Sequence, residues 1–96
     1  KEATKSPYGM MEDILAALQT TQKAVGKSNT NAASDLGVAA LNLKAGLQGA
    51  WLNVLINLSG VKDEAFVADY RSKGEELLQK GCALADEIYQ EILKVV

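Results

Sequence analysis

The sequence predicts an all-α protein. The expected architecture is a helical bundle of three main helices around a long central buried helix, with packing completed by a partner copy or by a missing part of the same protein. Three observations carry this expectation. Pro occurs once in 96 residues while Ala and Leu are plentiful, a composition that favours helix over strand. Apolar residues recur at three- and four-residue spacing in three separate stretches. The middle stretch is apolar or small on nearly every side, and a helix of that kind is normally enclosed all round.

The first helix is expected from about Tyr8 to Val25, with Ser6 as N-cap and Pro7 at the first helical position. Its apolar line is Met10, Met11, Ile14, Leu15, Leu18 and Val25, and Gly26 stops it. A polar turn, Lys27 to Asn31, leads to the second helix, Ala32 to Leu58, with Asn31 as N-cap and Asp35 near its positive end. Ser59-Gly60 ends it. The third helix begins after Asp63, a good N-cap, and extends toward Val96. Its apolar line runs Phe66, Tyr70, Leu77, Leu78, Leu84, Ile88 and Ile92. No repeat or linker divides the chain, so residues 1–96 are expected to form one all-helical domain.

Two neighbours of this size cannot cover the second helix. From Ala32 to Leu58 only Asp35 and Lys44 are charged, and a monomer rarely exposes an apolar surface of such length. A transmembrane span fits poorly, because Asn42, Lys44, Gln48, Asn53 and Asn57 interrupt the run.

Composition narrows the chemistry. The chain has no His, which removes Ser-His-Asp and Cys-His nucleophile systems, His-ligated zinc and a histidine proton shuttle. A net charge of −2 gives no basic field for nucleic acid or an anionic membrane. The single Cys82 cannot form an internal disulfide, and a cytoplasmic address is expected. Cys82 reads as an inert buried thiol. Trp51 reads as a packing anchor, or less readily as a stacking platform for an aromatic ligand. Lys44 either snorkels to solvent or meets a ligand carboxylate. Glu12-Asp13, Glu75-Glu76 and Asp86-Glu87 read as solvated helix faces.

Projected at about 100° per residue, Asp35, Asn42, Gly46, Gly49, Asn53 and Asn57 fall within about 40° of one direction on the second helix. One reading is a ligand wall with an acid at one end. The other is a helix–helix seam in which Gly permits close approach and Asn amides bond to backbone. Pattern alone favours the seam, and the two coexist where a ligand sits between helices of two subunits.

The run Asn29-Thr30-Asn31-Ala32-Ala33-Ser34-Asp35-Leu36-Gly37-Val38-Ala39-Ala40-Leu41 resembles the N-x-N-(small)-x-S-D-x-G-V-A-A-L signature of the formiminotetrahydrofolate cyclodeaminase/methenyltetrahydrofolate cyclohydrolase family. Gly49-Ala50-Trp51-Leu52-Asn53-Val54-Leu55-Ile56-Asn57-Leu58 is similar to that family's G-A-x-x-N-V-x-I-N-L segment, and Asp63-Glu64-Ala65-Phe66 to its D-x-x-F. Ala32 stands where Ser is common, and Leu36 where Ala is common. The resemblance is to the C-terminal half of longer, all-helical, homodimeric proteins, whose Pro-Gly-Gly-Gly-Ser type segment has no counterpart here. The chain is therefore expected to be a fragment, a natural truncation or one half of a split protein.

The resemblance implies folate one-carbon chemistry. A tetrahydrofolate derivative would be the substrate, with no metal and no further cofactor. Asp35, the only acid in the second helix and part of the signature run, is the leading candidate for the base of that chemistry, as opposed to a helix-capping charge or a pterin contact. Asn29, Asn31 and Ser34 would position Asp35 or the substrate. Asn53 and Asn57 would bond the pterin edge or brace a dimer seam. The alternative is a catalytically inactive helical oligomerisation module with the same fold.

Overall fold

The structure is a computed structural model that describes the backbone of residues 2–27 and 30–96, and the side chains of 6–27 and 32–96. Three helices follow one another: α1 (Glu2–Ala24), α2 (Thr30–Leu58) and α3 (Glu64–Leu93). They form an elongated up-down-up bundle of 51 × 17 × 15 Å, in which α2 runs antiparallel to both neighbours. Among the described residues there is no strand, and no helix is long and apolar enough to cross a membrane.

α1 departs from the sequence expectation. It begins at Glu2, and Pro7 lies inside it, so Ser6 does not cap it and Pro7 is not its first residue. The ring removes only the bond that residue 7 would donate to the carbonyl of residue 3, at the helix's fraying end. Glu2 and Ala3 are good helix formers, and an acid suits the positive end of the dipole. Pro7 is buried, so its ring contributes packing where its nitrogen cannot contribute a bond. Met10 also departs: it is exposed, whereas Met11 and Leu18 are fully buried. At the other end Gly26 takes φ +84°, a left-handed conformation that suits glycine and ends the helix.

α2 starts at Thr30, so Asn31 is already helical and does not cap it, and Asp35 lies in the second turn. α3 starts where expected. Asp63 adopts an extended backbone and its side chain accepts a bond from the Phe66 amide at 3.1 Å. Asp63→Ala leaves that amide without its acceptor, and the expected cost is about 1 kcal/mol, checked by urea unfolding followed by circular dichroism. The helix ends at Leu93, short of Val96.

Close packing of α2 on α3 comes from glycine. Trp51 lies over Gly74, Leu47 over Gly81, and Ile92 over Gly37. A Cβ at Gly74 or Gly81 would overlap the facing side chain, so these positions are holes into which large α2 side chains insert. Two core clusters result. One holds Met11, Leu47, Ala50, Trp51, Val54, Leu58 and Leu77, sealed by Tyr8, Phe66 and Tyr70. The other holds Leu18, Ala33, Ala40, Ala85, Ile88 and Ile92. Outward, α3 carries exposed helix-surface ion pairs, Lys73–Asp69 and Arg71–Glu75, of the kind that adds little stability.

Candidate functional site: the open face of the second helix

α2 is enclosed on one side only. Its buried residues, Ala33, Gly37, Ala40, Leu47, Ala50, Trp51, Val54 and Leu58, face α1 and α3. The opposite sector is exposed and contains Ser34, Asp35, Val38, Leu41, Asn42, Ala45, Gly46, Gln48, Gly49, Leu52, Asn53 and Ile56. Helical phase makes this sector about 160° wide. Val38, Leu52 and Ile56 are 54%, 60% and 68% exposed.

The polar stripe read from sequence is one margin of this face. Asp35, Asn42, Gly46 and Asn53 lie on its α1 side, where Ile14 sits 3.5 Å from a Cβ placed on Gly46. The centre is apolar and small: Val38, Ala45 and Leu52 recur every seven residues, and Gly49 and Ile56 fall seven apart beside them. That is the spacing of a helix–helix seam. Exposed apolar residues of the two neighbouring helices border the same face. Helical phase sets Met10 on the α1 side, and Tyr89 and Leu93 on the α3 side.

Each sequence-predicted site residue can now be placed. Ser34 and Asp35 are exposed on adjacent positions of α2, and the Asp35 side chain has no hydrogen bond or ion pair to another described residue. Asn53 is exposed on the same face. Asn57 is half-buried and engaged with a neighbour. Asn29 and the side chain of Asn31 lie outside the described residues. The helical rise puts Asp35 about 27 Å from Asn53 and about 33 Å from Asn57. Within one chain, therefore, these residues do not converge on one reacting atom.

Other candidates have structural duties. The Lys44 ammonium pairs with Asp86 at 2.8 Å, and that bond raises its pKa, so it is not waiting for a ligand. Trp51 is 9% exposed and filled by packing on Gly74, which leaves no face for a ligand. Cys82 is half-buried. Burial raises its pKa against the opposing pull of Lys44, and a raised thiol pKa lowers reactivity. A shallow groove of about 230 Å³ between α1 and α3 is lined by Tyr8, Leu15, Lys73, Glu76, Leu77 and Lys80. It contains none of the predicted site residues and is small against the roughly 300–1,000 Å³ of ligand pockets. Among the described residues no three His, Cys, Asp or Glu side chains gather as a metal site.

Chemically, the open face can offer one unpaired carboxylate, a hydroxyl beside it and amides along the helix. These are groups for proton transfer and for recognising a heterocycle edge.

Known proteins are similar to this chain. Over 92 residues the chain is 35% identical to a methenyltetrahydrofolate cyclohydrolase of Methylorubrum extorquens, covering 96% of this chain and 44% of that protein. It is 38% identical over 80 residues to a formimidoyltransferase-cyclodeaminase of Sus scrofa, and 34% over 80 residues to that of Rattus norvegicus, in each case 83% of this chain and 15% of the relative. The chain thus spans less than half the length of these relatives. Residues 1–76, which contain α1, all of α2 with its open face, and the capped start of α3, match the formiminotransferase-cyclodeaminase family, and the chain belongs to that family.

Proposed function

We propose that this chain supplies part of the site of a folate one-carbon enzyme, acting at the carbon attached to N5, or bridging N5 and N10, of tetrahydrofolate. The observation that carries this reading is Asp35. It lies in the signature run, on an open helix face, unpaired among the described residues. Support also comes from relatives named for both reactions of this type.

In the cyclohydrolase direction, water adds to the methenyl carbon and gives a proton to the base. The carbon–N5 bond then breaks as the new hydroxyl becomes a formyl carbonyl, and N5 takes up a proton. In the cyclodeaminase direction, N10 attacks the formimino carbon on N5, the base takes the N10 proton, and ammonia leaves after protonation. Each needs a group that accepts and returns protons. Asp35 fills that role, with Ser34 beside it to hold the attacking water or the substrate. The Asn amides address the pterin edge. The working unit is a homodimer in the cytoplasm, where Cys82 stays a thiol.

Calorimetric titration with 5-formyltetrahydrofolate tests the reading. Saturable binding that is lost in Ser34→Ala/Asp35→Asn is the expected result. A folded, self-associated chain with no affinity for the folate means that the inactive oligomerisation module is correct.

A further inference from the structure

We infer that Ile92, in the last turn of α3, is a positioning residue for the proposed site: it seats Gly37, and through Gly37 it sets where the first turns of α2 hold Ser34 and Asp35. The positioning role rests on the folate reading above; the seat itself does not.

The first argument is how α2 meets α3 along its length. Toward its C-terminal end α2 brings large side chains, Leu47 and Trp51, onto Gly81 and Gly74 of α3. Toward its N-terminal end the order reverses. There α2 buries small residues, Ala33, Gly37 and Ala40, and α3 supplies the large ones, Ile88 and Ile92. This reversal fixes the register of the pair. Sliding α2 by one turn would carry Trp51 off Gly74 and Ile92 off Gly37 together.

The second argument is the fit at Gly37. A Cβ placed there lies 3.1 Å from Cγ2 of Ile92 and 3.6 Å from its Cβ. The nearer contact is short of ordinary packing by a few tenths of an ångström. Ile92 has little room to withdraw. It is buried in a cluster with Leu18, Ala85 and Ile88, and its carbonyl accepts from the amides of Val95 and Val96 at 3.0 and 3.1 Å, which closes the turn behind it. The outer side of α2 is exposed at Ser34, Asp35 and Val38, so nothing resists movement in that direction. A methyl group at position 37 therefore pushes the first turns of α2 outward.

The third argument is leverage. The middle of α2 is held by Leu47 against Gly81 and by the Lys44–Asp86 pair. Along the axis Gly37 lies about 15 Å from Leu47 and Asp35 about 18 Å, so a tilt about Leu47 moves Asp35 slightly further than Gly37. Asp35 lies about 160° round the helix from Gly37, so the movement runs outward through the side that carries the carboxylate. Proton transfer is sensitive to such shifts, since a misplacement of about 1 Å can cost about 10²-fold. Ile92 lies beyond the residues 1–76 that match the family, and neither the signature run nor the polar stripe points to it.

The test uses Gly37→Ala alone and combined with each of two changes at position 92. Ile92→Leu removes Cγ2, the atom nearest Gly37, whereas Ile92→Val keeps it and loses only Cδ1. In the complete enzyme, Gly37→Ala is expected to lower kcat for 5,10-methenyltetrahydrofolate about 3–10-fold per folded molecule, with KM unchanged. Ile92→Leu is expected to restore most of that loss and Ile92→Val none of it. Urea unfolding of the same proteins judges the seat. The midpoint is expected to respond to Gly37→Ala differently in the Leu background than in the Ile and Val backgrounds, as residues in contact require. An equal response in all three overturns the seat and the inference with it. An unchanged kcat in Gly37→Ala, or an equal loss in the Leu and Val backgrounds, overturns the positioning role. Wild-type enzyme with no turnover sinks the folate reading and the positioning role together, while the unfolding midpoints judge the seat on their own.

Discussion

Trp51→Ala is expected to lower the stability of the bundle by about 3–5 kcal/mol, the largest effect of any single substitution outside the open face. Trp51 is buried and centred in the larger core cluster, and its ring fills the hole left by the absent side chain of Gly74. Truncation loses the transfer energy of the ring and leaves a cavity between two rigid helices that cannot close over it. Gly74→Ala approaches the same contact from the other helix. Its methyl group has nowhere to go but into the indole, at an expected cost of about 1–3 kcal/mol. In the double variant the Ala methyl enters space the indole has vacated. The combined loss is therefore expected to fall short of the sum of the two, by about 1 kcal/mol or more for residues in contact. Denaturant unfolding at one fixed protein concentration measures all three, since association itself adds stability. Additive losses, or a Trp51→Ala effect below about 1 kcal/mol, would show that the ring and the glycine are not packed as described.

This contact also shows what the sequence could and could not convey. The start of α3 was legible because Asp63 is followed three residues later by an amide it can satisfy, a rule that needs no knowledge of the rest of the fold. Gly26 and Ser59-Gly60 were legible as stops for the same local reason. Gly74, Gly81 and Ala85 were not seen as core. They interrupt the apolar line of α3, yet all three are buried, because their function is to be small opposite something large on another helix. Spacing within one helix cannot reveal that. Pro7 misled in the opposite direction: a strong local signal for a helix start was overridden by helix formers upstream and by burial of its ring.

The candidate site was legible as residues and not as geometry. Periodicity placed Asp35, Asn42 and Asn53 on one line, and the structure puts all three on the exposed side of α2. Being on one line is different from being in one place. A helical projection removes the axial coordinate, and along α2 that coordinate separates Asp35 from Asn53 by about 27 Å. The expectation that two neighbours leave α2 partly uncovered came from counting charges, and the exposure of Val38, Leu52 and Ile56 is its structural counterpart.

On the folate reading proposed above, Asp35→Asn in the complete enzyme is expected to lower turnover about 10²–10⁴-fold, the range for loss of a positioned proton-transfer group. The measurement is disappearance of the methenyl chromophore of 5,10-methenyltetrahydrofolate, or ammonia release from 5-formiminotetrahydrofolate. The substitution keeps the size of the side chain and its place on the helix, and it removes only the ability to accept a proton at neutral pH. Asp35 is exposed and its side chain makes no hydrogen bond or ion pair to another described residue, so no salt bridge is lost, and the melting temperature is expected to be unchanged. A structural role predicts the reverse. If Asp35 matters through the dipole of α2, removing its charge costs about 0.3–1 kcal/mol of stability and leaves turnover per folded molecule intact. Its position in the second turn already argues for a small dipole effect, which falls off within the first turn. Steady-state kinetics separate two further possibilities. If Asp35 is the base, kcat falls; if it only orients the pterin, KM rises with kcat unchanged. Wild-type turnover in the Asn variant would remove Asp35 from the chemistry altogether. A fall in turnover that Asp35→Glu partly restores places the carboxylate itself, and not merely an amide-sized polar group, at the reacting carbon.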